Sequence, residues 1–429
     1  MIHRILLTSD LHIGRSSTRV GDKAGSGQFR AADAWLRIVN LAIEQKVTLV
    51  CLGGDVADQE NKFFEAIGPL KMGLNRLADA GIKTVAVSGN HDFDVLPKLA
   101  GELPDDCFKV IGKGGKWERY THAVDEVPLL HVDGWSFPER YYAGDPLESY
   151  PNKTLESHDI PVLGIVHGDL GNPKSPYAPI NKSQIESSVV SGWHLGHIHK
   201  SQLIKSESHP WVLYPGSPQA LDPGETGDHG VWITEISKGG FSFPQFYPIS
   251  TIIYDQLEID VKNIDSIESV DSYFMQVISK RSRYLVESNV EHLRQINFRI
   301  TITGETPLYD GIQKNIERLP DLEDQCEDVH IFIEAAKNKT QPSVDFASLL
   351  ESNSAVGELA RVINQIDEDK IETSTRKLIE MLYQKSTCVE QRLGISNVEH
   401  NSIKDGRILE IVRENAVALI SELIRQQGI

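Results

Sequence analysis

Five short groups of residues follow one another along the first half of the chain: Asp10-Leu-His12, Gly54-Asp55, Gly89-Asn90-His91-Asp92, His167-Gly168 and Gly196-His197-Ile198-His199. Asp10, His12, Asp55, Asn90, His167, His197 and His199 offer oxygen and nitrogen donors sufficient for two adjacent metal ions, and His91 is left over for chemistry. Carboxylate, amide and imidazole together are intermediate in hardness, which suits Mn²⁺, Fe²⁺ or Zn²⁺ better than Mg²⁺ or Ca²⁺. Two such ions held about 3.5–4 Å apart serve a narrow set of reactions, phosphoester cleavage foremost, by lowering the pKa of a shared water and polarising phosphate oxygens. Singly, each group has a plainer reading. Asp-x-His after a strand is a capped turn, and Gly53-Gly54-Asp55 is a turn with a helix-capping aspartate. His197 and His199 place two imidazoles on the same side of an extended segment, a spacing that suits a metal. The conjunction of all five in one order, each after a strand, is what points to a metal pair.

The elements that must position them are legible. Residues 1–92 alternate between apolar strand runs and helical segments, as repeated βαβ units do. Ile5–Thr8, Val47–Leu52 and Lys83–Ser88 are rich in β-branched residues, and each runs into a ligand-bearing turn. Between them Ala31–Glu44 and Phe63–Ala80 carry apolar residues at helical spacing. Ligands just past the carboxyl ends of parallel strands are how an α/β sheet builds a site. From Phe108 to Pro248 the pattern turns to short strands, among them Val127–Val132, Pro161–Val166 and Val231–Ile236. Two sheets flanked by helices is the expected architecture.

After Pro248 a second unit is expected, with strands at Ile253–Val261, Gln295–Gly304 and Asp328–Ala335 and a helix at Ser266–Arg281. From Ser343 the pattern is helical, and Ile408, Ile411, Val412, Ala416, Leu419, Ile420, Leu423 and Ile424 form one apolar stripe. The expected division is a catalytic domain over 1–250, a small α+β capping domain over 251–338 and a helical region over 339–429.

Length and composition bound the class. A chain of 429 residues exceeds one compact core. No apolar run approaches the roughly 18–20 residues that span a bilayer, so no membrane partner is expected. The N-terminus reads as a buried strand rather than a secretory signal. Cys51, Cys107, Cys326 and Cys388 lie far apart, with no Cys-x-x-Cys pair, which argues for a reducing, cytoplasmic setting. The net charge of −18 divides as −7 over residues 1–250 and −11 over 251–429. A free-standing DNA-binding module is usually basic, so a nucleic-acid reading requires that a partner supply much of the affinity.

The order D-x-H, G-D, G-N-H-D, H-G, G-H-x-H resembles the calcineurin-like metallophosphoesterases. Gly134–Arg140, His167–Gly171, Tyr177-Ala-Pro179, Trp193–Lys200, Tyr214–Gln219 and Gly224-Glu-Thr-Gly227 are similar to bacterial DNA-repair exonucleases of the SbcD and YhaO groups. The resemblance implies a four-layer α/β/β/α sandwich. It assigns Asp10, His12, Asp55 and His199 to one metal and Asp55, Asn90, His167 and His197 to the other, with Asp55 bridging and Mn²⁺ the usual ion. It gives His91 the transition-state role, with Asp92 accepting the other His91 N–H. It also implies a DNA substrate, an SMC-like coiled-coil ATPase partner docked on a C-terminal helix, and a homodimer through the first domain. Asp58 stands where archaeal and eukaryotic relatives carry a second histidine, a feature shared with the SbcD-like proteins, and Ala57 replaces a larger apolar residue. Arg15, Arg19, Lys23 and Arg30 in the Gly14–Arg30 loop, and Lys200, are placed either to meet phosphates or to be solvated. The expected activity is a metal-dependent DNA phosphodiesterase, with 3′→5′ exonuclease and single-strand endonuclease action. The alternative is the same site acting on nucleotides, cyclic nucleotides or phosphoproteins.

Overall fold

The structure, a computed structural model, describes residues 2–20, 26–58, 65–104, 107–151, 160–204, 210–237, 240–289, 291–343, 346–368, 370–377 and 379–381, with scattered positions between 409 and 423. The chain divides into two compact units. One comprises Met1–Leu257, Ile278–Arg299 and Pro320–Ala335, the other Glu258–Val277, Ile300–Leu319 and Ala336–Ile429.

The first unit is built on two sheets. In one, β1 (His3–Thr8), β2 (Leu49–Gly53), β3 (Lys83–Val87) and β4 (Phe108–Val110) run parallel. On the other side of β1, β13 (Gly230–Ser237) pairs antiparallel and also carries β14 (Gly240–Phe241) and β15 (Gln245–Pro248). In the second sheet, β6 (Val127–Trp135), β7 (Val162–His167), β10 (Gly192–Gly196) and β12 (Trp211–Tyr214) run parallel. Its edges are β5 (Glu118–Val124) and β11 (Gln202–Ile204), both antiparallel to their neighbours. A short parallel pair, β8 (Asp169–Leu170) and β9 (Pro179–Ile180), follows β7.

Strand alternation makes the layers. Ile5, Leu7, Cys51, Val85 and Val87 of the first sheet meet Leu130, Val132, Leu163, Ile165 and Leu213 of the second, all buried. The opposite faces of β1, β2 and β3 (Leu6, Val50, Leu52, Ala86) are covered by Trp35, Ile38 and Val39 of α1 (Ala31–Glu44) and Leu70, Leu74 and Leu77 of α2 (Ile67–Asp79). The short α3 (Leu96–Ala100) adds Leu96 and Leu99 to that face. Outside the second sheet the cover is thinner: α4 (Lys182–Glu186), a 3₁₀ turn at Pro146–Ser149, and aromatics including Trp135, Phe137, Tyr150 and Trp193. This is the mixed α/β, α/β/β/α arrangement expected of a metallophosphoesterase fold. Helix Ala31–Glu44 lies where its spacing places it.

Further along, β16 (Ile252–Asp260), β17 (Gln295–Thr303), β20 (Val329–Asn338) and β19 (Glu323–Cys326) form a sheet in that order. Strands β16, β17 and β20 begin in the first unit and end in the second, while α5 (Ile267–Ser288) runs the other way. Within the first unit Arg281 donates two hydrogen bonds to Asp255, at 2.8 and 3.0 Å. The second unit also holds α6 (Tyr309–Glu317), the pair β18 (Glu305–Thr306) and β21 (Gln341–Pro342), α7 (Phe346–Leu350) and α8 (Ala355–Asp367).

Part of the described C-terminal apolar stripe is used inside the chain, while Leu419 is 49% exposed. Ala416, Ile420 and Leu423 pack with Val417 on Val356, Ala360 and Ile363 of α8. Ile408, Ile411 and Ile424 lie outside the described residues. Among the described residues no helix is long and apolar enough to cross a membrane.

Candidate metal centre

The turns after β1 and β2 are zipped together by their backbones. The Asp10 N–H donates to the Gly54 carbonyl at 3.0 Å, His12 N–H to Asp55 at 3.0 Å and Ile13 N–H to Val56 at 2.9 Å. Within this pairing Asp10 has φ 53°, His12 47° and Asp55 49°, and His197, after β10 and bonded to the Asp10 carboxylate, has 99°. Left-handed backbone at a residue other than glycine costs about 1–2 kcal/mol, and four such residues among the seven expected ligands mark strain gathered at one place. Gly54, at φ 94°, is the turn residue that lets β2 deliver Asp55.

The turn after β3 is fastened to Asp55. The His91 N–H donates to Asp55 Oδ1 at 2.8 Å. Asp92 is buried, and its carboxylate accepts from the backbone N–H of Gly89 at 2.8 Å, Val56 at 2.7 Å and Ala57 at 3.3 Å. Burial, then the nearby Asp55 charge, pushes its carboxyl up to about 7 against those three donors. Asp92 therefore staples two ligand turns together and does not orient His91, because backbone donors occupy its oxygens. The carboxylate that faces His91 is Asp58, with Oδ1 3.8 Å from His91 Nδ1 and 3.5 Å from His12 Nδ1.

The second sheet brings the remaining histidines. His167, at the end of β7, donates from Nδ1 to the Gly53 carbonyl at 3.0 Å. That leaves Nε2 facing Asn90 Oδ1 at 3.2 Å and Asp55 Oδ2 at 3.3 Å. The His197 N–H donates to Asp10 Oδ1 at 3.0 Å. His199 Nδ1 lies 2.6 Å from Glu225 Oε1, which turns Nε2 toward His12 Nε2 at 3.1 Å. Gly196 is needed for the approach: a Cβ there would collide with the Gly53 carbonyl.

All seven expected ligands and His91 thus lie on turns that these bonds join, where the two sheets meet. Two sets, Asp10–His12–His199 and Asp10–Asp55–His167, hold one donor atom per residue within 4.8 Å of each other. An imidazole whose Nδ1 is spent on a carbonyl or carboxylate presents Nε2 as a metal donor, the usual way outer partners orient ligands. The donor set fits a pair of divalent ions. Electrostatics agree. Burial opposes charge on both Asp55 and His167, yet their mutual attraction prevails, holding the Asp55 carboxyl well below its usual range and pushing His167 up to about 9. The hollow favours positive charge.

Glu225 escaped sequence reasoning as a site residue, although Gly224-Glu-Thr-Gly227 contained the signal. Its other oxygen accepts from the Leu221 N–H at 2.7 Å, which fixes the carboxylate that orients His199. The basic loop is largely neutralised: Arg15 pairs with Asp222 at 3.5 Å, Arg19 with Glu334 at 3.6 Å and Arg30 with Asp33 at 2.8 Å. Lys200 is exposed beside His199, and Lys23 lies outside the described residues.

Residues 3–200 match the family model described as calcineurin-like phosphoesterase. An uncharacterized metallophosphoesterase, YhaO, from Bacillus subtilis is 28% identical over 260 residues, which cover 57% of this chain and 60% of YhaO. A DNA double-strand break repair protein Mre11 from Sulfolobus acidocaldarius is 23% identical over 413 residues, 91% of this chain and 100% of that one. Its counterpart from Haloferax volcanii is 24% identical over 271 residues, 62% of this chain and 57% of that one. Among solved structures, calcineurin-like phosphoesterase YfkN from Bacillus subtilis shares 15% identity at TM-score 0.38, covering 66% of this chain and 98% of that one.

Proposed function

We propose that the chain is an Mn²⁺-dependent DNA nuclease subunit, with 3′→5′ exonuclease and single-strand endonuclease activity, that works with an SMC-like coiled-coil ATPase and a second copy of itself. The observation that carries the phosphodiesterase reading is the convergence of Asp10, His12, Asp55, Asn90, His167, His197 and His199 from five strand-end turns of two sheets. The DNA reading is supported by the break-repair relatives, one of which aligns over its full length. Asp10, His12, Asp55 and His199 would hold one ion, and Asp55, Asn90, His167 and His197 the other, with the small domain over 251–338 guiding DNA. The ions, when bound, activate a solvent nucleophile and neutralise charge on the phosphate.

The chain's own residues do the rest. Glu225 and the Gly53 carbonyl fix the tautomers of His199 and His167. His91 is tied by its N–H to Asp55 and leaves a third of its side chain exposed, 33%. Burial above all holds its imidazole below the usual range, against the pull of Asp55. It is neutral at pH 7 and donates a hydrogen bond to the phosphate or leaving oxygen. The test is incubation of purified protein with labelled single- and double-stranded DNA in Mn²⁺ or EDTA, beside cyclic nucleotides and nucleoside monophosphates. Cleavage of DNA in Mn²⁺ alone is expected. Hydrolysis confined to the small substrates would replace this reading with the alternative one.

A further inference from the structure

Beside the ligand His197, a line of aromatic rings leads out of the centre. The Tyr177 ring lies 5.0 Å from the His197 imidazole with the planes 39° apart. Tyr141 follows at 5.7 Å, again at 39°. The Arg140 guanidinium sits 5.4 Å from the Tyr141 ring centre. Tyr141 is 51% exposed and Tyr177 half-buried, whereas Trp135 and Trp193 are wholly buried.

The rings stand on fixed backbone. Tyr142 and Tyr177 form a parallel bridge in which the Tyr142 N–H donates to Pro176 at 2.9 Å and the Ala178 N–H returns to Tyr142 at 2.6 Å. Ala178 is held at φ 47°, and Gly168, next to the ligand His167, is the small residue that a Cβ would drive against the Ala178 carbonyl. Tyr177 also packs on the edge of the second sheet's aromatic core, whereas Tyr141, carried on the same braced turn, presents its ring to solvent outside that core.

We propose that Tyr177 and Tyr141, with Arg140, form a nucleobase-stacking subsite for a single strand whose phosphodiester lies at the metal centre. The proposal rests on the reading of the substrate as nucleic acid and adds the element that recognises it. Stacking takes any base, because every base offers a π-face. It also answers the charge problem. A chain of net charge −18, with Arg15, Arg19 and Arg30 paired to carboxylates, has little counterion release to draw on, so affinity must come from contacts that salt does not screen. Arg140 joins by stacking on a base or by meeting its phosphate.

The experiment measures binding, not cleavage. A labelled oligothymidylate and an abasic strand of equal length are titrated with the full chain by fluorescence anisotropy, with Ca²⁺ in place of Mn²⁺, at several salt concentrations. The wild-type chain is expected to bind the base-bearing strand about 5- to 100-fold more tightly, with a shallow salt dependence. Tyr141→Ala should lose most of that preference and Tyr141→Phe should keep it. Equal binding of both strands by the wild type, or none, overturns the proposal, as does equal weakening on both strands in Tyr141→Ala. A chain that distinguishes bases but cleaves no DNA in Mn²⁺ keeps the subsite and loses the nuclease reading. A chain that cleaves DNA while Tyr141→Ala matches wild type on both strands does the reverse.

Discussion

At the scale of single residues the site depends on partners that hold imidazoles in one tautomer. Replacing Glu225 with Ala frees His199 Nδ1 and should weaken Mn²⁺ binding about 10- to 100-fold, read by titration calorimetry. Glu225→Gln, which keeps an acceptor oxygen, should fall between. His91→Ala should leave Mn²⁺ affinity within a few-fold and lower kcat on a phosphodiester by about 10²–10⁴. Equal losses in affinity would make His91 a ligand instead. These roles were unequally legible. The ligand turns are written in the sequence because Asp, Asn, His and Gly stand together after β-branched runs. Asp58 rather than Asp92 faces His91, because nothing local tells which of two nearby carboxylates meets the backbone N–H groups of Gly89 and Val56. The left-handed Asp10, His12, Asp55 and His197 come from loop-to-loop pairing, which no single segment encodes.

At the scale of elements, glycines set how closely layers approach. Gly73 of α2 lies against the Trp35 indole of α1, and a Cβ there would collide with it. Gly73→Ala should therefore destabilise the first unit by about 1–3 kcal/mol through overpacking, seen as a lower urea midpoint. Buried His122 on β5, with Nε2 3.1 Å from Thr48 Oγ1, gives a pH signature. Burial, aided by the positive charge near it, lowers its pKa from 6.5 to about 4. Between those values the unfolded chain binds the proton and the folded chain does not, so stability is lost as pH falls through that window. The shift corresponds to roughly 3 kcal/mol, and His122→Gln should flatten that part of the stability profile in urea titrations. Periodicity gave α1 its place and most core strands theirs. For β10, whose Gly-Trp-His-Leu-Gly carries two glycines and a polar residue, the mark is the ligand group that follows it rather than periodicity, because that strand is chosen by the sheet around it.

At the scale of the whole molecule, the chain is acidic and the cationic loop near the site is paired to carboxylates as distant in sequence as Arg19 and Glu334. Such long-range neutralisation is invisible before folding, and under the proposed DNA reading it would shift recognition from charge toward stacking. The apolar stripe near the C-terminus is likewise partly consumed by α8. What remains for function is the hollow between two sheets, and its content tests the account. Anomalous scattering from crystals soaked in Mn²⁺ should show two peaks about 3.5–4 Å apart, both beside Asp55, one toward His12 and His199 and the other toward Asn90, His167 and His197. A single peak away from Asp55, or none, would contradict the account.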